Sequence, residues 1–347
     1  MIKKSKVTIS VIADVLKVSP ITVSRALASQ PGVSSELREK IVRKAQELGY
    51  KKVKSRETEN ILVLVRRRFV ADNSIFSQMV QELENNIRKM DAAFTLEFID
   101  NEKHENLVCP YNLERNNRFD GVILFGRFND TYTSFIKQII NNLVVFNGTL
   151  GMVDCDYVLF HTNRNGYKAA DYLIKHGHKH IGLIGVDDNP NNCQRFIGFC
   201  RRLEEEGLEV CRDYVINTKE EILTRIKSLR EQKELPTAFV CHTDHCALQL
   251  IKILHDLGVS VPTEVSVIGS GNSEVATLAI PSLTTFNLNV EYACEIAVNT
   301  VLNRVNRADA PRISIYVDSI MVLRDSVKQL LNVNKAQHKG VGKIESL

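Results

Sequence analysis

Hydrophobic and polar positions fall into two regimes along the chain. In the first fifty residues, apolar side chains recur at helical spacing. Ile9, Ile12, Ala13 and Leu16 stand at i, i+3, i+4 and i+7, which predicts one amphipathic helix. Thr8 suits its N-cap, because a hydroxyl accepts from a free backbone N–H of the first turn. Ser19-Pro20 reads as a second start, with serine as cap and proline at the first helical position, where no N–H is needed. The helix it opens covers residues 20–28 and turns Val23, Ala26 and Leu27 inward. A third helix begins at Ser34-Ser35-Glu36, carries Leu37, Ile41, Ala45 and Leu48 on one face, and stops at Gly49.

From residue 61 onward, short apolar runs alternate with amphipathic stretches. The runs cover residues 61–65, 94–99, 121–125, 143–146, 157–161, 181–185, 238–241 and 265–269. Helical patterns between them include residues 76–90, 164–175, 194–206 and 244–257. Such alternation predicts parallel sheets with helices on both faces. The units are too many for one small sheet, so two lobes are expected. The chain is expected to cross between them near residues 160–163 and again near 281–287. Ligands in such folds bind beyond the carboxyl ends of the strands, in the crevice between lobes.

Composition adds a boundary rather than a function. With 347 residues, 44% hydrophobic and 25% charged, the chain can bury a sizeable core in two or three units. No stretch approaches the ~18 uninterrupted apolar residues of a membrane helix. Asp14 and Lys17 interrupt the N-terminal apolar segment, and no small-residue cleavage site follows, so a cytoplasmic protein with no membrane partner is expected. Of the eight cysteines none form a Cys-x-x-Cys pair, which favours reduced core thiols over a disulfide frame. Charge is uneven. Residues 1–56 carry 13 Lys/Arg against 4 Asp/Glu, while the remainder is mildly acidic. A basic head on an acidic body suggests a polyanion partner for the head alone.

Two short helices joined by a tight turn, with a third behind, make a helix-turn-helix. Its second helix presents Pro20, Ile21, Ser24 and Arg25 at the groove-facing end. Arg25 can pair with guanine O6 and N7 through two parallel bonds, and Ile21 offers only apolar contact, as with a thymine methyl. The hydroxyls of Thr8, Ser19 and Thr22 suit phosphate oxygens, which position without reading sequence. Thr8-Ile9, Ile12-Ala13, the string from Val18 to Leu27, Val33-Ser34 and Leu48-Gly49-Tyr50 together resemble the head of the lactose-repressor/galactose-repressor (LacI-type) family. That resemblance adds Ser34, Tyr50, Lys51 and Lys52 to the expected DNA contacts. It implies a double-stranded, palindromic operator and a homodimer.

The linker departs from the family pattern. Lys51 to Asn60 holds no proline and no leucine, so the paired hinge helices that wedge leucines into a minor groove are not expected. Lys51, Lys52, Lys54 and Arg56 leave a basic tether able to lie along phosphates, or simply a charged flexible linker.

Resemblance resumes in the body. Tyr172 to Gly182, with His176, His178 and His180, looks like the family's Gly-His segment. Arg195-x-x-Gly198-Phe199 looks like its effector-contacting helix, and Val261 to Gly269 with Pro281 to Thr285 looks like another signature. These imply a body like periplasmic sugar-binding proteins, with the effector between the lobes. Arg195 is the expected anchor, since a guanidinium donates two parallel bonds to vicinal hydroxyls or an anion. Asn147, Asn191, Thr243, Asp244 and Asn272 fall near other family contact positions, where an ordinary loop role competes for each asparagine. Gly271 replaces an acid usual in the family, which points away from a simple neutral sugar and toward a phosphorylated or acidic one.

Other motifs carry less. Cys241-His242-Thr243-Asp244-His245-Cys246 has metal-ligand residue types, but a strand end and a helix start should aim them apart. Gly269-x-Gly271 lacks a third glycine and arrives too late for a dinucleotide fold, so no cofactor is implied. No catalytic constellation is visible.

The expected architecture is a small all-α helix-turn-helix head at residues 1–50, a short basic linker at 51–60, an α/β two-lobed body at 61–327 and a disordered tail at 328–347. The expected function is a DNA-binding transcription regulator controlled by a sugar-like effector. An α/β enzyme acting on a sugar or nucleotide, with an incidental basic head, is the alternative.

Overall fold

The computed structural model describes residues 9–27, 33–48, 58–67, 75–115, 118–185, 190–217 and 219–330. The chain divides into two compact units, Met1–Thr58 and Glu59–Leu347. The smaller unit holds α1 (Ile9–Leu16), α2 (Pro20–Leu27) and α3 (Ser35–Glu47). Ile12, Ala13, Val23, Ala26, Ile41 and Ala45 form its buried core, which are the faces read from helical spacing. Ser19 Oγ accepts from the Thr22 N–H at 3.0 Å and Ser34 Oγ from the Leu37 N–H at 3.4 Å, so both serines cap. Between α1 and α2, Lys17 takes a left-handed φ of 50°, a cost the tight turn imposes on a residue with a Cβ. Thr8 and Gly49, assigned to helix ends from sequence, lie outside the described residues.

The first lobe is built from β1 (Asn60–Arg66), α4 (Phe76–Lys89), β2 (Ala93–Ile99), α5 (Asn101–Glu105), α6 (Tyr111–Arg115), β3 (Gly121–Phe125), α7 (Asp130–Ile139), β4 (Leu143–Phe146) and β5 (Asp156–Phe160). The second is built from α8 (Thr162–Lys175), β6 (Ile181–Ile184), α9 (Pro190–Glu205), β7 (Val215–Ile216), α10 (Lys219–Glu231), β8 (Ala238–Cys241), α11 (Asp244–Asp256), β9 (Ser266–Ser270), α12 (Glu274–Leu278) and β10 (Thr284–Asn287). The chain then returns through α13 (Val290–Asn306) and β11 (Ser314–Val317), and ends its sheets at β12 (Ile320–Val322). The two sheets run β11-β5-β4-β3-β1-β2 and β12-β10-β9-β8-β6-β7. All the pairings are parallel except β10 with β12.

Strand alternation sorts the core. Ile61, Val63 and Val65 of β1 face Met79, Leu83 and Ile87 of α4 together with Ala293, Ala297 and Val301 of α13. Leu62 and Leu64 face the opposite side, against Tyr132 and Ile136 of α7. A period of two thus gives each face of the sheet its own helix layer.

The chain crosses between lobes three times. His161 carries it from β5 into α8, as expected. The second passage comes after β10, at residues 288–289, because Thr284–Asn287 still belongs to the second sheet. A third, at Asp318 and Ser319, escaped the sequence reading because β11 and β12 are short and largely exposed. The passages are tied together there. Asn165 Nδ2 donates to Ser319 Oγ at 3.0 Å, Arg164 pairs with Asp318, and Asn289 Nδ2 donates to the Asp318 carbonyl at 2.8 Å.

Helices α8 and α9 approach at two glycines. A Cβ on Gly166 would stand 1.9 Å from the Arg195 carbonyl oxygen, and one on Gly198 1.9 Å from that of Asn163. Gly198, read from sequence only as part of an effector motif, therefore also has a packing reason. Gly198→Ala should cost at least ~1–3 kcal/mol, because the obstacle is backbone and the helices must part. Thermal unfolding reads this directly, and an unshifted midpoint would contradict the close approach.

The expected tail begins later than residue 328. Lys328 N donates to Ser266 Oγ at 3.0 Å, and Leu330 N donates to the His176 carbonyl at 2.8 Å. Residues 331–347 lie outside the described set. Among the described residues no helix is long and apolar enough to cross a membrane.

Candidate functional site

On the head, the exposed face of α2 displays Pro20, Ile21 and Arg25, with Ile21 65% exposed despite being apolar. The Ser19 and Thr22 hydroxyls bond each other at 2.8 Å and hold the start of the helix. One of the two hydroxyl protons is engaged in that bond, and the other is free to point outward. Ser24 stands on α2, and Ser34 caps α3. Thr8, Tyr50, Lys51 and Lys52 lie outside the described residues.

In the body, the residues singled out from sequence gather at the carboxyl ends of the strands. Asn147 follows β4 with a left-handed φ of 50°, and its amide donates to Met79 Sδ at 3.5 Å. Asn191, in the first turn of α9, sends Nδ2 across to the Gly148 carbonyl at 3.1 Å and so joins the lobes. One turn on, Arg195 is only 7% exposed, with Nη1 donating to Asn192 Oδ1 at 3.0 Å. Asn192, which positions the guanidinium, carried no sequence signal beyond its neighbours. Thr243 caps α11, its hydroxyl accepting from the Cys246 N–H at 3.1 Å.

Asp244 is wholly buried. Its Oδ2 accepts from Ser273 N at 2.8 Å and Ser273 Oγ at 3.0 Å, while Oδ1 is bonded to the Thr285 hydroxyl. The carboxylate thus fixes the loop after β9 from behind, instead of facing a ligand. Thr285 was visible in sequence only as part of a signature, with no role attached. The structure also accounts for Gly271. Its φ of +131° strains any other residue, and a Cβ there would approach Asp244 Oδ2 at 3.3 Å.

Burial pushes the Asp244 carboxyl above its ordinary value, against the bonds from Thr285 and Ser273 that favour the charged form. A raised folded value means the native state holds the proton more tightly. The stability this carboxyl contributes is therefore present below its ordinary value and is lost as pH rises through the raised one. Asp244→Asn keeps one acceptor for Ser273 and one donor for Thr285, so it should be mild. Asp244→Ala removes the acceptor from the buried Thr285 hydroxyl and from two half-buried donors of Ser273, and should cost ~1–3 kcal/mol. Equal melting points for the two variants would remove this assignment.

Asn272 turns away from that group. Its Oδ1 accepts from Arg324 Nη2 at 2.7 Å, and it lines a cavity of about 540 Å³ with Gln78, Asn287 and Asn289. Asn191 lines a different cavity of about 400 Å³, with Thr149, Phe160, His161, Gln194 and Tyr316. The sequence-selected residues are therefore spread over more than one concavity.

The histidine and cysteine clusters are structural. His178 bridges Thr237 Oγ1 at 2.9 Å and the Lys328 carbonyl at 3.1 Å, and burial lowers its proton affinity. Cys241 and Cys246, expected to point apart, share the same buried core and a thiol hydrogen bond. Burial and that bond push the Cys241 thiol well up. The chain folds back at Thr243, which brings them together. Among the described residues, no three His, Cys, Asp or Glu side chains converge to hold an ion.

Residues 8–52 match the family described as bacterial regulatory proteins, lacI family, and residues 170–327 match a periplasmic binding protein-like domain. A transcriptional repressor PurR of Pasteurella multocida (strain Pm70) is 26% identical over 341 residues, covering 93% of this chain and 99% of that one. A probable transcriptional repressor ExuR of Bacillus subtilis (strain 168) is 25% identical over 338 residues, with the same coverage. In fold, the chain is similar to the transcriptional regulator CelR–cellobiose complex, with a TM-score of 0.68 at 22% identity over 92% of this chain and 99% of that one. It is likewise similar to the lac repressor dimer bound to operator and an anti-inducer, with a TM-score of 0.69 at 18% identity over 93% of this chain and 100% of that one.

Proposed function

We propose, from the premise that this chain belongs to the LacI family of bacterial regulatory proteins, that it is a sequence-specific DNA-binding repressor controlled by a small molecule held between its lobes. The observation that carries this reading is the capped second helix of the head, with Arg25 and Ile21 exposed on its outer face. In the major groove, Pro20, Ile21, Ser24 and Arg25 meet base edges, and Arg25 supplies the bidentate contact. Thr8, Ser19, Thr22, Ser34, Tyr50, Lys51 and Lys52 bond phosphates and set the register. The relatives are repressors, so the α/β-enzyme alternative falls away.

The effector is carbohydrate-derived, a reading supported by the cellobiose complex among the similar folds and the ribose operon repressor of Haemophilus influenzae among the relatives. Arg195, Asn147, Asn191 and Thr243 contact it, and Asp244 acts through the loop it holds. Two heads on palindromic half-sites require a homodimer. Leu278 and Ile280, 70% and 89% exposed, supply apolar surface that a second copy covers. The protein works in the cytoplasm, where its DNA partner is.

Removing residues 1–56 tests the division of labour. The shortened chain should lose operator binding in a mobility-shift assay while a cognate sugar or sugar acid still raises its melting point. Retained binding to a palindrome selected by the full chain would defeat the reading.

A further inference from the structure

We infer that self-association of this chain through the outer face of α11 is gated by pH, holding near neutrality and weakening as the imidazoles of His245 and His255 take up protons. The inference rests on the reading that a second copy covers Leu278 and Ile280, and adds what else meets there and what controls it. His245, Leu248, Gln249, Lys252 and His255 stand at i, i+3, i+4, i+7 and i+10 along α11, which makes them one stripe of the helix. With Ile251 and Ile280 they line an open concavity of about 500 Å³. Leu248, Ile251 and Ile280 supply apolar surface, and the exposed His245, Lys252 and His255 surround it with polar groups. An apolar patch rimmed in this way marks a protein contact.

A second copy is the occupant that the charges fit. Near neutrality the lining carries one fixed charge, Lys252, and Asp256 stands one turn further along α11. The patch is thus close to uncharged and does not repel its own image. Paired heads on a two-fold operator already place two copies side by side. A two-fold axis pairs residue i of one copy with j of the other, and j with i. Full overlap of two antiparallel stripes puts that axis at their midpoint, so His245 meets the partner's His255 and His255 meets the partner's His245.

Neutral imidazoles tolerate this meeting, since one ring N–H donates to the other ring's bare nitrogen. Protonated rings are donors only, and they repel each other and Lys252. On α11 the neighbouring acid is Asp256, whose Oδ1 lies 3.5 Å from His255 Nδ1. Helices α10 and α12 and strands β8 and β9 pack against α11. From α10, Arg230 adds a cation at the end of α11, with Nη2 3.9 Å from where a Cβ on Gly258 would stand. On α12 the ionisable group is Glu274, which does not line the concavity. Strand β8 offers only the buried Cys241 thiol, and β9 carries no ionisable side chain. Each copy thus sets two imidazoles, Lys252 and Arg230 against one close carboxylate. Closing the contact takes the rings out of water, so the pair binds fewer protons than two separate chains. Association then strengthens as pH rises and is lost as pH falls through the histidine range, at ~6.5. Two-headed binding to the operator follows it, so acid releases the DNA.

The test is sedimentation equilibrium of the full chain at about pH 8 and about pH 5.5, the two sides of the histidine range, at one salt concentration. The dimer dissociation constant should rise at least about tenfold at the lower pH, the equivalent of one pKa unit. The double variant His245→Gln with His255→Gln should give the same constant at both. Both histidines are exposed, so their replacement does not threaten folding. Ile280→Lys, at another exposed position, should give monomers throughout. The inference is overturned if the parent dimer is unmoved by pH, or if Ile280→Lys still dimerises. It is overturned equally if the double variant keeps the dependence, since another group or acid unfolding then causes it. A parent chain that is monomeric at both pH values removes the second-copy reading as well, whereas a dimer indifferent to pH removes this inference alone.

Discussion

Arg304→Ala should destabilise the body by ~3–5 kcal/mol, the cost of stranding one partner of a buried ion pair. Arg304 on α13 meets Asp156 at the start of β5 with side-chain exposures of only 4% and 0%. Nε and Nη2 reach the two carboxylate oxygens at 2.8 Å each, a two-pronged geometry that only arginine makes. The remaining donors reach the carbonyls of Arg307, Ala310 and Pro311, and Ile313 N donates to the same carboxylate at 2.9 Å. One guanidinium therefore closes the whole return from α13 into β11. Arg304→Ala leaves a buried carboxylate with only the Ile313 N–H for a partner and takes the guanidinium donors from several carbonyls. The melting point should fall by roughly 10 °C or more, at ~2–4 °C per kcal/mol for a unit of this size. The double variant Arg304→Met with Asp156→Leu removes both charges and should recover much of the loss. An unshifted melting point for the single variant would contradict the pairing.

Arg25→Ala should abolish discrimination between operator and random duplex while leaving the body's melting point unchanged. A bidentate arginine–guanine contact is worth ~1–3 kcal/mol. A two-fold operator loses it twice, so specific affinity should drop on the order of a hundredfold or more. Binding to random duplex should weaken far less, because that term comes from phosphate contacts. Fluorescence anisotropy against a selected palindrome and a scrambled duplex, at one fixed salt concentration, separates the two. An unchanged preference would remove Arg25 from base readout and leave Ile21 and Ser24 as the readers.

Part of the site was legible and part was not. Ser19 and Ser34 were readable as caps, because a cap acts on backbone two or three residues away, whereas the capping role of Thr243 was not read. Arg195 was readable by resemblance, but its support by Asn192 was not. Asp244 was placed among ligand contacts, whereas its oxygens are engaged by Ser273 and Thr285, 29 and 41 positions further on. Nothing local to residue 244 announces those donors. Gly271 carried a signal as a departure from pattern, and its physical cause lay in a backbone angle and in Asp244 behind it.

The sequence alone determined the head's three helices with the caps of the second and third, the strand–helix alternation of the body and the basic charge of the first fifty-six residues. These depend on side-chain periodicity and on bonds that close within a turn or two. Only the tertiary structure decided the order of strands in each sheet, the third crossing at Asp318 and Ser319, the glycine contact between α8 and α9, and the division of the crevice residues between separate cavities. In each of these the deciding partner lies tens to hundreds of positions away, as Arg304 does from Asp156. Close packing then fixes which side chains meet, and local sequence does not encode that.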